Sequence, residues 1–211
     1  MKPVKVGICG LGTVGGGTFN VLKRNAEEIT RRAGRTIEVV HIASRSKNPQ
    51  CETGNVKVSD DVFAVVNNPE VDVVVELIGG DTVAKEVVLK AIENGKHVIT
   101  ANKALIAVHG NEIFAQAQEK GVMVGFEAAV AGGIPIIKAI REGLAANQIN
   151  WLAGIINGTG NFILTEMREK GRAFEDVLHE AQALGYAEAD PTFDVEGIDA
   201  AHKLTILASL A

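Results

Sequence analysis

Asp199 and Lys203 are four residues apart in an apolar helical pattern, and this spacing places both side chains on one face of a helix. On a protein surface such a pair is a salt bridge that contributes about 0.3–0.5 kcal/mol, and the spacing alone favours that interpretation. The loop before the pair is unusually acidic, however, and contains Glu188 and Asp194. Several carboxylates close to one lysine indicate a site for an amine substrate.

A glycine-rich turn directly follows the first apolar run and opens a helical pattern. In that context the first glycine suits a tight turn, the second lets a pyrophosphate approach the backbone, and the third permits close helix packing. The helix N-terminus adds amide donors for an anion. The pattern predicts dinucleotide binding, with a purely structural turn as the alternative. The residues concerned are Gly10, Leu11, Gly12, Thr13, Val14 and Gly15.

The end of the second predicted strand lacks the acidic residue that usually binds the ribose of NAD. The sequence there is Ser44-Arg45-Ser46-Lys47, and a guanidinium group suits the 2′-phosphate of NADP. NADP is therefore favoured. Because the absence of the acid permits both cofactors, NAD stays open, and Arg45 is a solvated loop residue in the alternative interpretation.

Two further groups of candidates follow strands. The carboxyl edge of an open α/β sheet binds ligands, and this edge is expected to carry Gly79, Gly80, Thr100 and Lys103. For the lysine, an ordinary surface position is the alternative. A second glycine turn contains Gly158 and Thr159, whose amides and hydroxyl suit a carboxylate. The alternative is a bare turn in which Thr159 caps the next helix.

The elements that position these residues alternate between short β-branched runs and helical patterns. This alternation predicts an α/β fold with a Rossmann-type doubly wound parallel sheet over residues 1–130, and a second, incomplete α+β domain over residues 131–211. The last helical pattern still runs at Ala211, so we expect a truncated domain. Strands are predicted at residues 4–9, 37–43, 71–78, 97–100, 122–126 and 151–156. Helices are predicted at residues 14–32, 83–94 and 111–120, and a separate helical stretch ends at residue 146.

Composition excludes several classes of function. The 211 residues carry 26 acidic and 21 basic side chains without a basic stripe, which argues against a nucleic-acid partner. No stretch approaches the roughly 20 apolar residues of a membrane span, and no secretory leader pattern is present, so a cytoplasmic location is expected. Neither the cysteines, Cys9 and Cys51, nor the five histidines have the spacing of a disulfide framework, a zinc site or a catalytic triad.

Together these motifs resemble the homoserine dehydrogenase family along essentially the whole chain. The resemblance rests on residues 10–15, 98–104, 157–164, 185–191 and 197–203, and the last three segments are specific to the family in this order. It implies a reversible, NAD(P)H-dependent reduction of L-aspartate 4-semialdehyde to L-homoserine in threonine, methionine and isoleucine biosynthesis. It also implies that the second domain binds substrate and dimerises, in a homodimer or tetramer.

The resemblance further implies individual roles. Lys103 corresponds to the lysine at the nicotinamide crevice, Glu188 to the acid that holds the substrate amine, and Asp199 with Lys203 to the catalytic pair. A segment after the first domain is similar to the family's monovalent-cation loop. Its ligands, expected to hold sodium, would be Glu127 and the carbonyl groups of Val130, Gly132 and Ile134.

Two rival functions stay open at this point. A phosphorylating aldehyde dehydrogenase shares the nucleotide domain but needs a thiolate nucleophile, and neither Cys9 nor Cys51 is placed for attack at the crevice. A non-catalytic nucleotide-binding module is the second rival. It would bind NADP without turnover.

Overall fold

A computed structural model describes residues 2–46, 48 and 50–211. The chain divides into two compact units, Met1–Gly132 and Gly133–Ala211. Within the described residues, no helix is long and apolar enough to cross a membrane.

The first unit contains a parallel sheet of six strands in the order β3-β2-β1-β4-β5-β6. The order reverses between β1 and β4, and such a switch point opens a ligand crevice at the carboxyl edge of the sheet. The predicted Rossmann-type α/β fold is thus confirmed. The strands are β1 Val4–Cys9, β2 Ile37–Ala43, β3 Lys57–Ser59, β4 Val73–Glu76, β5 His97–Thr100 and β6 Val124–Gly125.

Helices flank this sheet, and the central strands are buried accordingly. Ile8, Ile42 and Val74 are completely inaccessible to solvent. Burying a side chain of this size stabilises the fold by roughly 1.5–3 kcal/mol. The helices of this unit are α1 Thr13–Arg24, α2 Ala26–Ala33, α3 Val62–Val66, α4 Thr82–Glu93 and α5 Lys103–Lys120.

Two helix predictions in this unit are wrong in their bounds. The single helix predicted over residues 14–32 is two helices, because Asn25 leaves the helical conformation with φ −105° and ψ 22°. The last helix begins at Lys103 instead of residue 111. Its cap is Asn102, whose side chain accepts a hydrogen bond from the amide of Leu105.

The second unit is helical in its described residues. Its core packs Ile163 against Val177 and Ala181. The predicted helix up to residue 146 is shorter, consisting of one helical turn at Ile136–Lys138 and a π-helical turn at Ala139–Gly143. The helices are α6 Ile136–Lys138, α7 Gly158–Lys170, α8 Phe174–Ala183, α9 Thr192–Val195 and α10 Ile198–Leu210.

The strand predicted over residues 151–156 is wrong. The backbone there belongs to no helix or strand, and Trp151 and Ile155 are each 80% exposed. A strand needs a hydrogen-bonded neighbour, and the described part of this unit forms no ladder that this segment joins.

Candidate functional site

The glycine turn links β1 to α1 and has the geometry of an anion site. Gly10 has a φ of 101°, and a Cβ atom there would lie 2.5 Å from the carbonyl oxygen of Leu77. A Cβ atom on Gly15 would overlap the carbonyl oxygen of Gly10. Beside Gly12, in contrast, the space is open, and α1 begins at Thr13 with no side-chain cap. The backbone amides of the first turn are therefore accessible to a phosphate group.

Asn48 closes this turn from the side, and sequence reasoning missed it. Its amide group donates to the carbonyl oxygens of Leu11, at 2.9 Å, and Gly12, at 3.4 Å. Leu11 is buried and Val14 is 57% exposed. The signal was weak, since a single asparagine in the loop after β2 has many possible roles.

Arg45 lies two residues beyond the end of β2 and is exposed. The structure therefore leaves its guanidinium group accessible to a ligand at the carboxyl edge of the sheet. Lys47, named with it from the sequence, lies outside the described residues.

The ends of β4 and β5 are connected by hydrogen bonds. The hydroxyl group of Thr100 donates to Glu76 Oε2 at 2.6 Å and accepts from the backbone amide of Asn102 at 3.0 Å. The side-chain amide of Asn102 donates to the carbonyl oxygen of Gly80. Lys103, the first residue of α5, is half-buried directly after this connection. The predicted edge residues Gly80, Thr100 and Lys103 therefore belong to one joined arrangement.

The pair in α10 is enclosed, and the surface salt-bridge interpretation is wrong for it. Lys203 Nζ lies 2.6 Å from Asp199 Oδ2, with side chains only 19% and 10% exposed. The same ammonium group donates to the carbonyl oxygen of Ile156 at 2.7 Å. These contacts hold the lysine in one position next to a buried carboxylate.

Asn157 is the residue that joins this site, and it was not among the predicted site residues. Its oxygen accepts from the amide of Gly160 at 2.6 Å, which makes it the N-cap of α7 in place of Thr159. Its amide group donates to Asp194 at 2.7 Å and to Asp199 at 3.0 Å. Two carboxylates and one lysine are thereby gathered at the N-terminus of a helix.

The remaining predicted substrate residues lie around α7. Gly158 is its first residue, and the Thr159 hydroxyl donates to the carbonyl oxygen of Tyr186 at 2.6 Å. Glu188 follows two residues later with an exposed side chain, while its backbone carbonyl accepts from Gln182. The structure thus attaches the acidic loop to the helix start but leaves the Glu188 carboxylate in solvent.

The expected cation loop begins in a 3-10 turn at Glu127–Ala129. Val130 is buried, and the backbone turns sharply at Ala131, with a φ of 49°, and at Gly133, with a φ of 88°. Among the described residues, no group of three or more His, Cys, Asp or Glu side chains can hold a metal ion. The expected ligand set is different in kind, because it uses one carboxylate and three backbone carbonyl groups.

Comparison with known proteins gives consistent matches along the chain. Residues 10–127 match the family model for the homoserine dehydrogenase NAD binding domain, and residues 135–211 match that for homoserine dehydrogenase. The whole chain is 82% identical to a homoserine dehydrogenase of Pseudomonas aeruginosa and 45% identical to that of Bacillus subtilis, covering 49% of each.

Solved structures agree. The crystal structure of a homoserine dehydrogenase from Thiobacillus denitrificans matches 99% of this chain at 69% identity, with a TM-score of 0.93, over 49% of its own chain. A hyperthermophilic archaeal homoserine dehydrogenase in complex with NADPH matches 99% of this chain at 29% identity, with a TM-score of 0.87, over 70% of its chain.

The sheet order and the glycine turn define a Rossmann-type dinucleotide-binding domain, followed here by a helical unit with an enclosed Asp–Lys pair. The chain belongs to the homoserine dehydrogenase family. It spans about half the length of the curated relatives that it matches.

Proposed function

We propose that the chain supplies the cofactor-binding and substrate-binding parts of a homoserine dehydrogenase, which reduces L-aspartate 4-semialdehyde to L-homoserine reversibly with NAD(P)H. The observation that carries the proposal is the identity to named homoserine dehydrogenases over the entire chain. The Asp199–Lys203 pair supports it, because this pair is enclosed, whereas an ordinary salt bridge of the protein surface would be exposed to solvent. The domain of residues 1–130 would hold the cofactor, and residues 131–211 the substrate.

A nicotinamide dinucleotide fits the first unit. The open space beside Gly12 admits a pyrophosphate, which the first amides of α1 would bind. NADP is the proposed cofactor, since exposed Arg45 suits a 2′-phosphate and one structural relative is in complex with NADPH. NAD is the alternative.

The proposed chemical role of the second unit is proton transfer to and from the substrate oxygen. Bound NAD(P)H would supply a hydride to the aldehyde carbon. Lys203 would donate a proton to the oxygen that becomes the alcohol, and would take it back in the oxidation of homoserine. Asp199 would bind and orient the substrate, and Lys103 would help polarise the carbonyl oxygen.

Recognition of the amino acid part of the substrate is assigned to the surrounding groups. Asp194 and Glu188 are the proposed partners of the substrate amine, and Gly158 and Thr159 those of its carboxylate. The start of α7 supports the second assignment, because helix N-termini attract anions. We also propose a structural sodium ion bound by Glu127 and the carbonyl groups of Val130, Gly132 and Ile134, since hard oxygen ligands suit such an ion.

The chemistry of Cys9 argues against the aldehyde dehydrogenase rival. That residue is completely buried, and burial, with a smaller effect of Glu76, raises the pKa of its thiol to about 12. A nucleophilic cysteine requires a lowered pKa and access to substrate. Cys51 lies in the loop after β2, beside Gly16 of α1.

The deciding experiment measures oxidation of L-homoserine by the full-length protein with NADP⁺ and with NAD⁺, following the absorbance of reduced nicotinamide. Turnover that requires homoserine supports the proposal, and the ratio of the two kcat/KM values assigns the cofactor. Cofactor binding without turnover in a folded protein would instead support the non-catalytic module. Size-exclusion chromatography with light scattering on the same sample tests the proposed homodimer or tetramer. The cytoplasmic location and the absence of a nucleic-acid partner stay predictions.

A further inference from the structure

We propose that Glu76 is a positioning residue that fixes the two loops flanking the nicotinamide end of the cofactor site. The inference rests on the cofactor binding proposed above, and it concerns only residues of the first unit. Glu76 is the last residue of β4, in register with Cys9 of β1 and Thr100 of β5. It therefore lies beside the switch point of the sheet, where a bound dinucleotide crosses.

The carboxylate of Glu76 divides its hydrogen bonds between the two loops. Oε1 accepts from the backbone amides of Ile78, at 2.9 Å, and Gly79, at 3.4 Å, in the loop after β4. Oε2 accepts from the hydroxyl of Thr100, at 2.6 Å, where β5 ends. One side chain thus determines the separation of both loops.

A second connection closes the arrangement into a ring. The hydroxyl group of Thr100 also accepts from the amide of Asn102, and the side chain of Asn102 donates to the carbonyl oxygen of Gly80. The ring therefore runs from Glu76 through the loop after β4, across to Asn102 and back through Thr100. Asn102 also caps α5, so the ring fixes the start of the helix on which Lys103 is the first residue.

The fold itself does not require a carboxylate at this position. Val74 and Val75, the two preceding residues of the strand, are buried and apolar, whereas Glu76 is fully buried and held by uncharged donors. Burying a carboxylate costs free energy that an apolar side chain would not cost. A cost of this kind is expected where a precise arrangement of loops contributes to ligand binding.

The loop after β4 particularly needs such support. Gly79 and Gly80 both adopt left-handed backbone conformations, with φ of 74° and 70°, and a Cβ atom on either would contact nothing within 4 Å. Two consecutive unpacked glycines give a segment with high conformational entropy. The hydrogen bonds of Glu76 and Asn102 hold this segment on both sides, so that the cofactor does not have to order it.

The test is the isosteric substitution Glu76→Gln in the full-length protein, with two ligands titrated by calorimetry. One ligand is NADPH, and the other is 2′-phospho-ADP-ribose, which lacks the nicotinamide ring. Glutamine can accept from the loop amides or from Thr100, but not from both. We expect NADPH binding to weaken roughly tenfold, the effect of one hydrogen bond to a charged group, and fragment binding to change less than about twofold.

Matched variants separate positioning from general damage. Glu70→Gln removes an exposed carboxylate that pairs with Lys5, and it should change neither dissociation constant. Thr100→Val should reproduce the selective loss for NADPH, whereas Thr100→Ser, which retains the hydroxyl group, should restore wild-type binding. This second pair decides the question by the same criteria if Glu76→Gln does not fold.

Three results overturn the inference while the proposed function stands. They are unchanged NADPH binding in Glu76→Gln, equal weakening of both ligands, and a Thr100→Ser variant as weak as Thr100→Val. Wild-type protein that binds neither of these ligands, and neither NADH nor ADP-ribose, would overturn the proposed function, and this inference with it.

Discussion

The proposed proton-donor role of Lys203 gives the strongest prediction. A proton donor and a purely structural ion pair predict losses of turnover that differ by orders of magnitude. Lys203→Ala removes both short contacts of the ammonium group, to Asp199 at 2.6 Å and to the carbonyl of Ile156 at 2.7 Å. Loss of a proton donor to the forming alcohol should lower turnover by roughly 10²- to 10⁴-fold. The loss of stability should be about 1–3 kcal/mol, since a partly buried carboxylate loses its cationic partner.

Two variants distinguish proton transfer from ion pairing. Lys203→Arg keeps a positive charge near Asp199, but a guanidinium group does not release its proton in proteins. Turnover should therefore stay low while stability largely returns. Lys170→Ala is the matched control, because Glu166 and Lys170 have the same i, i+4 spacing in α7 with the lysine 60% exposed. Its turnover should equal that of the wild type.

The assay is steady-state oxidation of homoserine by full-length variants, with cofactor titration and thermal unfolding on the same samples. The reasoning is refuted if folded Lys203→Ala keeps turnover within about twofold of wild type, which is only about 0.4 kcal/mol in barrier height. It is also refuted if Lys203→Arg is fully active. In either case the buried pair would be a structural element of α10.

Three further predictions concern other parts of the chain. Arg45→Ala should weaken NADP binding roughly tenfold to a hundredfold more than NAD binding, and equal losses in titration would exclude a contact with the 2′-phosphate. A high-resolution map of the full-length protein in sodium should show an ion with oxygen ligands beside Glu127, and a water with two or three neighbours there would contradict the site. Cys9 should resist iodoacetamide while Cys51 reacts, because Cys9 is buried and its thiol pKa is raised to about 12. Ionisation of Cys9 therefore lowers the stability of the fold only as the pH rises above 9.0, the ordinary pKa of the thiol in the unfolded chain. Rapid labelling of folded Cys9 in a Cys51→Ser variant at pH 8 would contradict that burial.

The sheet was predictable because its signal is local. β1, β2 and β5 have the predicted bounds, since each is a β-branched run with a clear end. The strand and the α-helix missed in the first unit, β3 Lys57–Ser59 and α3 Val62–Val66, are three and five residues long. Elements of this length are too short to establish a period of two or of 3.6 residues, so they form because a neighbour in the fold supports them.

Errors at longer elements have specific causes. The first part of α5 contains Gly110, which lowers the intrinsic helix propensity, and tertiary packing of Leu105 and Ile106 overrides it. The opposite error occurred at residues 151–156, where propensity indicated a strand that lacks a partner among the described residues. At these two segments, burial and strand pairing decided the outcome against local propensity.

Site residues followed a similar rule. Motif spacing named Thr100 and Asp199, which carry recognisable chemistry. It gave no role to Asn48, Glu76 or Asn157, which act by joining segments distant in sequence. Asn48 and Glu76 lie outside the motifs, and Asn157 lies within one, but the partners of all three are defined only by the tertiary fold.

Asn157 shows why the Asp199–Lys203 spacing was ambiguous. The i, i+4 distance in α10 is the same for an exposed pair and an enclosed one, so sequence separation cannot measure burial. What encloses the pair is the loop before α7, whose Asn157 amide and Ile156 carbonyl contact Asp199 and Lys203 from more than 40 residues away. Because Asn157 also binds Asp194, removing its amide group would leave two neighbouring carboxylates to repel each other. The site is therefore a property of the helix start and α10 together, and neither segment defines it alone.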